Sequence, residues 1–240
     1  MKHYRADFHI HTVLSPCASL DMSPINIINK AKEKKIDIIG ITDHNSTKQC
    51  RITKEIGEKN GIYVVCGAEI TTKEEIHCLT FFEDLSRLDD FQKFIDEIQP
   101  NIKNDVQRFG YQLIVDEAEN VLEEEDISLF SALNVSIDEL ADVVHNLGGL
   151  FIPAHIDRQR FSLISQLGFV PFDIDADAFE ISKNTSREKM IEQFPYLEKF
   201  SFINNSDSHF LDTVGETFNL LQLEEINFKS ISYALKKLNN

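Results

Sequence analysis

The sequence predicts an α/β fold with a mainly parallel sheet, and three observations support this class. Residues 4–70 alternate predicted strands and helices in the order β-α-β-α-β, which is the pattern of parallel α/β proteins. The run 36–42 is almost entirely apolar, as is typical of parallel strands that are covered on both faces. Histidine and carboxylate residues recur where predicted strands end, and this edge of a parallel sheet carries active sites.

The composition is that of a folded, acidic protein, and residues 1–240 are predicted to form a single domain. The chain contains 42% hydrophobic residues and 18 Phe, enough to bury a substantial core. The net charge of −16 predicts weak attraction to anionic membranes and to long nucleic acid, so neither is expected as a partner. No apolar run is long enough to span a membrane, and the four Cys form no C-x-x-C pair. A reduced cytoplasmic protein without disulfides is expected.

The first predicted strand, residues 4–11, places its polar residues on one face. Because side chains alternate along a strand, Asp7, His9 and His11 are expected to point one way. Phe8 and Ile10 are expected to point the other way, into apolar packing. Two imidazoles on one face of a strand can hold a metal ion, although a single His-x-His pair also occurs by chance.

Two helices and three strands follow. Ser23 and Pro24 are typical of a helix start. A second helix begins at Ser46 or Thr47 and ends near Gly61. The predicted strands are 36–42, 62–70 and 75–82. The last of these follows its predecessor without a helix.

Residues 83–146 are predicted to be a mainly helical insert between the fourth and fifth strands. Phe91, Ile95 and Ile98 recur at helical spacing, and Ser136 is typical of a helix N-cap. The insert could cover the active face and set the size of the substrate, or it could pack on the outside of the sheet.

The alternation of strands and helices then resumes. Strands are predicted at 150–154, 177–181 and 200–204, followed by a further short strand at 217–223 and a closing helix at 228–238. Seven strands are therefore expected to share one sheet. Their C-terminal ends carry polar residues, namely His44, Glu69, His155, Lys183, Asp207 and His209.

Six histidines lie in or just after predicted strands, together with two carboxylates. A lone histidine is usually structural, but six that converge at one end of a sheet are difficult to satisfy without a metal ion. Imidazole and carboxylate oxygen are ligands of Zn, Mn and Fe, and the lack of a thiolate cluster argues against a structural zinc finger. The residues are His9, His11, His44, His77, His155 and His209, with Glu69 and Asp207.

Five short motifs resemble, in the same order, those of the PHP family, the polymerase-and-histidinol-phosphatase metal-dependent phosphoesterases. They are His9-Ile10-His11-Thr12, Ile41-Thr42-Asp43-His44-Asn45, Gly67-Ala68-Glu69-Ile70 with His77, Pro153-Ala154-His155, and Ser206-Asp207-Ser208-His209. Any single motif is weak, but five in order are specific, and they extend from residue 4 to about residue 210. The resemblance implies a distorted (β/α)7 TIM-like barrel with two or three divalent metal ions (Zn, Mn or Fe) at the C-terminal ends of the strands.

The resemblance also implies which residues hold each ion. The first ion would be held by His9, His11, Glu69 and Asp207. The second, bridged through Glu69, would also be held by His77 and His155. The third would be held by His44 and His209.

Two residues in the loop after the His-x-His motif are alternatives for the remaining ligand of the third ion. Cys17 stands where some relatives have His, and Asp21 stands where others have Asp. Asp21 is slightly favoured, because a soft thiolate is unusual beside hard oxygen ligands. The alternative for Asp21 is a carboxylate favoured by the helix dipole. Asp7 is expected either to orient a ligand histidine or simply to start its strand.

Bound ions would neutralise the oxygens of a phosphate ester, lower the pKa of a water molecule and stabilise the leaving oxygen. The predicted activity is hydrolysis of a small phosphorylated substrate (a phosphomonoester, a nucleotide or a short oligonucleotide end) by a metal-activated water. The carboxylates assigned to catalysis are Asp7, Glu69 and Asp207. Arg158 is the first candidate for binding the phosphate and Lys183 is the second, with a solvated surface cation as the alternative for each.

Three other functions stay open at this stage. The chain could be a nuclease on longer nucleic acid, although its acidity and the lack of a basic stripe count against this. It could hydrolyse a C–N bond, since the same ions can polarise a carbonyl. It could also be a non-catalytic metal-binding regulatory domain, and the completeness of the ligand set counts against that.

Overall fold

The computed structural model describes residues 1–237 and confirms the predicted α/β class. The strands are β1 Lys2–Ile10, β2 Ile38–Ile41, β3 Tyr63–Thr71, β4 His77–Phe82, β5 Leu113–Val115, β6 Val121–Glu124, β7 Leu150–Pro153, β8 Phe179–Glu180, β9 Phe202–Ile203 and β10 Asn219–Leu223. The helices are α1 Pro24–Glu33, α2 Cys50–Asn60, α3 Leu85–Ile98, α4 Val106–Phe109, α5 Ile137–Asn146, α6 Leu163–Leu167, α7 Arg187–Gln193 and α8 Phe228–Leu235. The last predicted residue of the closing helix, Leu238, lies outside the described residues.

Six strands form one sheet in the order β10-β1-β2-β3-β4-β7. Strands β1, β2 and β3 are parallel, whereas β4 is antiparallel to both of its neighbours and β10 is antiparallel to β1. The expectation that seven strands share one sheet is wrong, because β8 and β9 form a separate parallel pair. Strand β4 runs backwards because only residues 72–76 connect it to β3, and a parallel neighbour needs a crossover of roughly a dozen residues or more.

The sheet is curled, so that side chains from distant strands meet on its inner face. Two strands separate β1 from β4, yet the ring centroids of Phe8 and Phe81 lie 6.1 Å apart. The β8–β9 pair lies between β7 and β1, because the Asp177 amide donates to the Phe151 carbonyl at 2.9 Å and Ser208 forms a parallel bridge with Ile10. The C-terminal ends of these strands therefore surround one region.

Helices cover the outer face of the curled sheet. Ile27 of α1 and Ile56 of α2 belong to the same buried apolar cluster as Ile39 of β2. Full burial of such a side chain contributes about 1.5–3 kcal/mol to stability. Ile231 of α8 packs instead in a second apolar cluster, which is formed by the inner-face side chains of the sheet. Within residues 1–237, none of the helices is long and apolar enough to cross a membrane.

The middle of segment 83–146 differs from the mainly helical prediction. Helices α3 and α5 pack against the sheet, but the antiparallel hairpin β5–β6 and extended loops lie between them. The β-branched pair Ile114-Val115 favours extended backbone. Ile114 is buried with Leu14 and Leu129 in a small separate cluster, and this packing favours a strand there over a helix.

An irregularity in β1 separates Asp7 from the histidines that follow it. The register between β1 and β2 shifts between Asp7 and Ile10, as at a β-bulge. Phe8 packs in the inner cluster and Ile10 in the outer one, so the strict alternation predicted for this strand is wrong. Gly40 permits the close approach, because a Cβ there would lie 2.5 Å from the Phe8 carbonyl oxygen. Bulges of this kind re-aim side chains beside active sites.

Candidate metal centre

Glu69, near the end of β3, is the centre of the buried polar cluster. One carboxylate oxygen (Oε1) lies 2.9 Å from His77 Nδ1 and 3.1 Å from His155 Nε2. The other (Oε2) lies 3.1 Å from His44 Nδ1 and 3.3 Å from His11 Nε2. Because the two oxygens face separate sets of imidazoles, the carboxylate is placed to bridge two cations.

His9 and His11 bring their Nε2 atoms to within 3.1 Å of each other on one side of Glu69. Asp207, from the loop after β9, places Oδ1 3.3 Å from His9 Nε2 and 3.4 Å from His11 Nε2. His9 Nε2 also lies 3.4 Å from Glu69 Oε1. These four side chains, predicted together from the sequence, therefore enclose one small volume.

His44 and His209 both pack against the ring of His11. The ring of His209 stacks on the ring of His11 with 4.1 Å between centroids, and its Nδ1 lies 3.1 Å from the Asp207 carbonyl oxygen. His11, His44 and His209 together form a group with metal-ligand spacing. All six predicted histidines and both predicted carboxylates thus converge.

Glu180, in β8, fixes two ligand histidines and was missed by the sequence analysis. Its Oε1 lies 3.0 Å from His9 Nδ1, and its Oε2 accepts a hydrogen bond from the His155 amide at 2.9 Å. The Asn205 side chain donates to Oε1 at 2.8 Å. A carboxylate between Phe179 and Ile181 in an otherwise apolar strand was the available signal, because an acid in a buried strand requires partners.

Asp43 holds the loop that orients His11. Its carboxylate accepts hydrogen bonds at 2.7 Å from the Thr12 amide and from the Ser15 hydroxyl. Ser15 Oγ in turn lies 2.9 Å from His11 Nδ1. The partner of the second ring nitrogen sets the tautomer of a ligand histidine, so this chain of contacts selects which nitrogen of His11 faces the cluster.

Asp7 contacts the backbone of His9, whose amide donates to the Asp7 carboxylate at 3.5 Å, and the expectation that Asp7 orients a ligand histidine stays a prediction. Its carboxylate accepts hydrogen bonds from the Ser206 amide at 3.1 Å, from the Ser206 hydroxyl at 2.5 Å and from the Gly215 amide at 3.0 Å. The bulge in β1 turns it away from the ring of His9, and Glu180 occupies the expected position instead. Asp7 therefore holds the loop that carries Asp207.

Cys17 and Asp21 are both exposed residues of the loop after β1. The Ser19 amide donates to the His209 carbonyl at 2.9 Å, which places this part of the loop against a clustered histidine. Desolvation of the Cys17 thiol and the negative charge of Glu69 raise its pKa to about 12. The Asp21 carbonyl accepts a bond from Asn26, and the slight preference for Asp21 as a ligand stays a prediction.

The cluster concentrates negative charge that its own histidines balance. Burial alone would raise the pKa of Glu69, but the neighbouring imidazoles of His77 and His9 hold that pKa well below its usual range. Burial would lower the pKa of His9, but the carboxylates of Glu180 and Asp207 raise it well above normal. The carboxylates therefore attract positive charge strongly, which is the charge that a bound cation carries.

Three residues of the site have left-handed backbone angles at non-glycine positions. The φ values are 47° for Asn45, 30° for His155 and 50° for Asp207. Such conformations cost on the order of 1–3 kcal/mol each and cluster at functional sites. Each lies just after a strand end, where the strained backbone directs the chain into the cluster.

Arg158 reaches the edge of the cluster, and Lys183 lies farther out. Arg158 Nη1 is 2.5 Å from Asp207 Oδ2, and 43% of its side chain is exposed. Lys183 is 71% exposed, with its amine 3.8 Å from Glu216. Both cations line a small cleft of about 60 Å³ that also includes His155 and Asp207.

The donor set fits divalent metal ions. His9, His11 and Glu69 form one group whose ligand atoms lie within 4.8 Å of one another, and His44, Glu69 and His77 form another. The Nδ1 atom of His155 is buried without a hydrogen-bond partner. Imidazole nitrogens mixed with carboxylate oxygens suit Zn, Mn or Fe.

Comparison with known proteins agrees with this geometry. A family model of the PHP domain matches residues 7–187. The uncharacterized protein YqxK of Bacillus subtilis is 27% identical over 271 residues, covering 98% of this chain and 62% of YqxK. The lesion-specific endonuclease PfuEndoQ of Pyrococcus furiosus has the same fold, with a TM-score of 0.74 and 20% identity over 98% of this chain and 56% of that one. A Bifidobacterium adolescentis protein, provisionally described as a metal-dependent phosphoesterase, gives a TM-score of 0.63 with 17% identity over 96% and 95% of the two chains.

The chain spans less than two thirds of the length of YqxK and of PfuEndoQ. Endonuclease Q has also been solved in complex with a 27-mer duplex substrate that carries an abasic lesion at the active site. A protein of this fold therefore acts on duplex DNA, and the expectation that long nucleic acid is not a partner loses its support. The family model covers well over half of the chain and includes the first six of the eight clustered histidines and carboxylates. The resemblance seen in the motifs is thus confirmed, and the chain belongs to the PHP domain family.

Proposed function

We propose that this protein is a metal-dependent phosphoesterase that hydrolyses a small phosphorylated substrate: a phosphomonoester, a nucleotide or a short oligonucleotide end. The observation that carries the proposal is Glu69, whose two oxygens face separate sets of imidazoles, with a partly exposed arginine at the edge. Two or three bound ions (Zn, Mn or Fe) would supply charge neutralisation and an activated water.

The contacts in the cluster support each proposed ligand set. We assign the first ion to His9, His11, Glu69 and Asp207. We assign the second to Glu69, His77 and His155. We assign the third to His44 and His209, with Cys17 beside them.

The protein's own side chains position the substrate. A guanidinium carries five N–H donors, and the contact with Asp207 engages Nη1 alone, so the others can bind phosphate oxygens. Lys183, at the far side of the cleft, can add a second positive charge. Glu180 holds His9 and the backbone of His155 in place, so that these groups need not reorganise when substrate binds.

We also propose that the curled sheet, the β8–β9 pair and the bridge from Ser208 to Ile10 together form a distorted (β/α)7 TIM-like barrel. In this description residues 1–240 are one domain and 83–146 is an insert. The helices α3 and α5 of that segment cover the outside of the sheet, and its loops reach the active face.

Release of inorganic phosphate tests the proposal. Purified protein loaded with Mn or Zn is incubated with a panel of phosphomonoesters and nucleotides, and phosphate is measured by colorimetry. We expect turnover of at least one substrate, abolished by a chelator and restored by adding metal. Undiminished turnover in metal-free protein would contradict the metal-dependent mechanism.

A nuclease activity on longer DNA is the second candidate. It is favoured by the duplex-bound structure of endonuclease Q and disfavoured by the net charge of −16. Labelled duplexes with and without an abasic site, separated on a denaturing gel, distinguish the two. Cleavage of the duplex without phosphate release from small esters would replace the leading proposal by this one.

A further inference from the structure

Three phenylalanines form a continuous group at the mouth of the metal centre, and we call Phe109, Phe130 and Phe161 the aromatic platform. The rings of Phe109 and Phe130 stack with 5.7 Å between centroids, and Phe161 meets Phe130 edge-on at 6.4 Å. Phe109 and Phe130 belong to segment 83–146, whereas Phe161 follows β7. Two separate segments of the chain therefore build one apolar surface.

The platform touches the proposed metal ligands directly. Phe161 stacks on the ring of His77 at 4.7 Å with 12° between the planes. Phe130 meets the ring of His44 at 5.8 Å. The aromatic surface thus adjoins two of the proposed ligand histidines, His44 and His77.

The backbone at Phe130 is held rigidly while its ring stays in solvent. The Asn45 side chain donates to the Leu129 carbonyl at 2.8 Å and to the Ser131 carbonyl at 2.9 Å, which are the two neighbours of Phe130. Leu129 is only 1% exposed, whereas Phe130 is 38% exposed. Asn45 directly follows His44, so the loop that carries the platform is fastened to the metal centre itself.

A single exposed phenylalanine needs no explanation, because much of any protein surface is apolar. Phe169, for example, is 47% exposed and lies after α6. The platform differs because its rings are contiguous, rigidly positioned and in contact with His44 and His77. Contiguous exposed apolar surface of this kind marks binding sites.

We propose that the aromatic platform stacks against the base of a nucleotide whose phosphate lies at the metal centre. This inference rests on the proposed phosphoesterase function and narrows its substrate class to nucleotides, free or at the end of an oligonucleotide. A nucleotide carries a planar base one sugar away from its phosphate, which matches an aromatic surface beside a phosphate site. Arg108 lies 5.0 Å over the Phe109 ring and places a positive charge next to the base, near where a second phosphate of an oligonucleotide would pass.

Paired substrates with and without a base test the inference. The kcat/KM of wild type, Phe130→Ala and the control Phe169→Ala is measured for adenosine 5′-monophosphate and for ribose 5-phosphate. Loss of base–aromatic stacking predicts a decrease of roughly 5- to 150-fold for the nucleotide in Phe130→Ala, and a much smaller decrease for ribose 5-phosphate. Phe130→Trp should retain activity on the nucleotide. An equal decrease for both substrates, or none for the nucleotide, would overturn the inference.

A binding measurement separates failure of this inference from failure of the proposed function. The chain contains no Trp, so the fluorescence of a 2-aminopurine nucleotide can be followed without that background. Wild type should quench it and Phe130→Ala should bind it more weakly, even if no ester is hydrolysed. The affinity of a (dA)4 oligonucleotide with 2-aminopurine at its 5′ end is compared with that of the free nucleotide. The comparison shows whether the platform prefers a free nucleotide or an oligonucleotide end. Equal binding by wild type and Phe130→Ala, or no binding by wild type, would refute the platform.

Discussion

The buried floor of the metal centre and its exposed rim are built from different parts of the chain. The floor consists of residues such as His9, His11 and Glu69, which lie in or beside strands and are at most 1% exposed. The rim consists of Arg158, Phe130 and other residues from loops, with large exposed fractions. Floor residues each have several buried polar partners, whereas the Arg158 side chain at the rim has an ion pair with Asp207.

This difference indicates how the two regions divide the work. Strand pairing fixes the positions of the floor residues, so the floor can hold ions in one geometry. Loops fix the rim residues less tightly but tolerate changes of sequence. The rim can therefore select the substrate without disturbing the ions. Substitutions in the floor should therefore affect metal binding and turnover together, and substitutions in the rim should affect substrate binding alone.

The largest expected effect follows from Glu69→Gln in the floor. The neutral amide removes the shared negative charge between the two sets of imidazoles, and the loss of one preorganised electrostatic group at a reacting centre costs roughly 10²–10³-fold in kcat. Metal content, measured by mass spectrometry, should fall in parallel. The exposed Glu75→Gln, six residues away, is the matched control and should retain both activity and metal. Full metal content in Glu69→Gln would show that the carboxylate is not a ligand.

A smaller effect is expected from Glu180→Gln, which changes a partner of the floor and no proposed ligand. Loss of the charge that holds His9 Nδ1 should weaken metal affinity by roughly 10–100-fold, as for other residues that orient ligand histidines. Titration of metal-free protein with Zn, followed by calorimetry, measures this affinity. Glu188→Gln, an exposed carboxylate on α7, serves as the control. An unchanged affinity would mean that His9 is held adequately by packing alone.

The same comparison explains what could be predicted from the sequence. The clustered histidines and carboxylates follow predicted strands, so their convergence follows from the fold class. The hydrogen bonds of Asp7 to Ser206 and Gly215 could not be predicted, because the bulge in β1 is a backbone irregularity with no clear residue signature. Glu180 was missed because its partners, His9 and Asn205, are distant in the chain. The platform was also missed, since the contacts that hold Phe130 depend on loop conformation.

Arg158→Ala tests the comparison with a substitution in the rim. A hydrogen bond to a charged group is worth about 1.5–3 kcal/mol, and partial exposure of the guanidinium favours the low end, so KM for a phosphorylated substrate should rise roughly ten-fold. Metal content should not change. Arg160→Ala, in the same exposed loop, should leave KM unchanged. A loss of metal from Arg158→Ala would show that the contact of Arg158 with Asp207 supports the ions. Arg158 would then belong to the floor and not to the rim.

The smallest effect distinguishes Cys17 from Asp21 at the boundary between floor and rim. Cys17→Ser should lower the content of the third ion and reduce activity by a few-fold, because the thiol lies near Glu69 and the adjoining loop contacts His209. Asp21→Asn should change activity by no more than about two-fold, as expected of an exposed side chain. Ions per chain and kcat/KM are measured for both variants in parallel. If Asp21→Asn lost the ion and Cys17→Ser kept it, Asp21 rather than Cys17 would be the remaining ligand of the third ion.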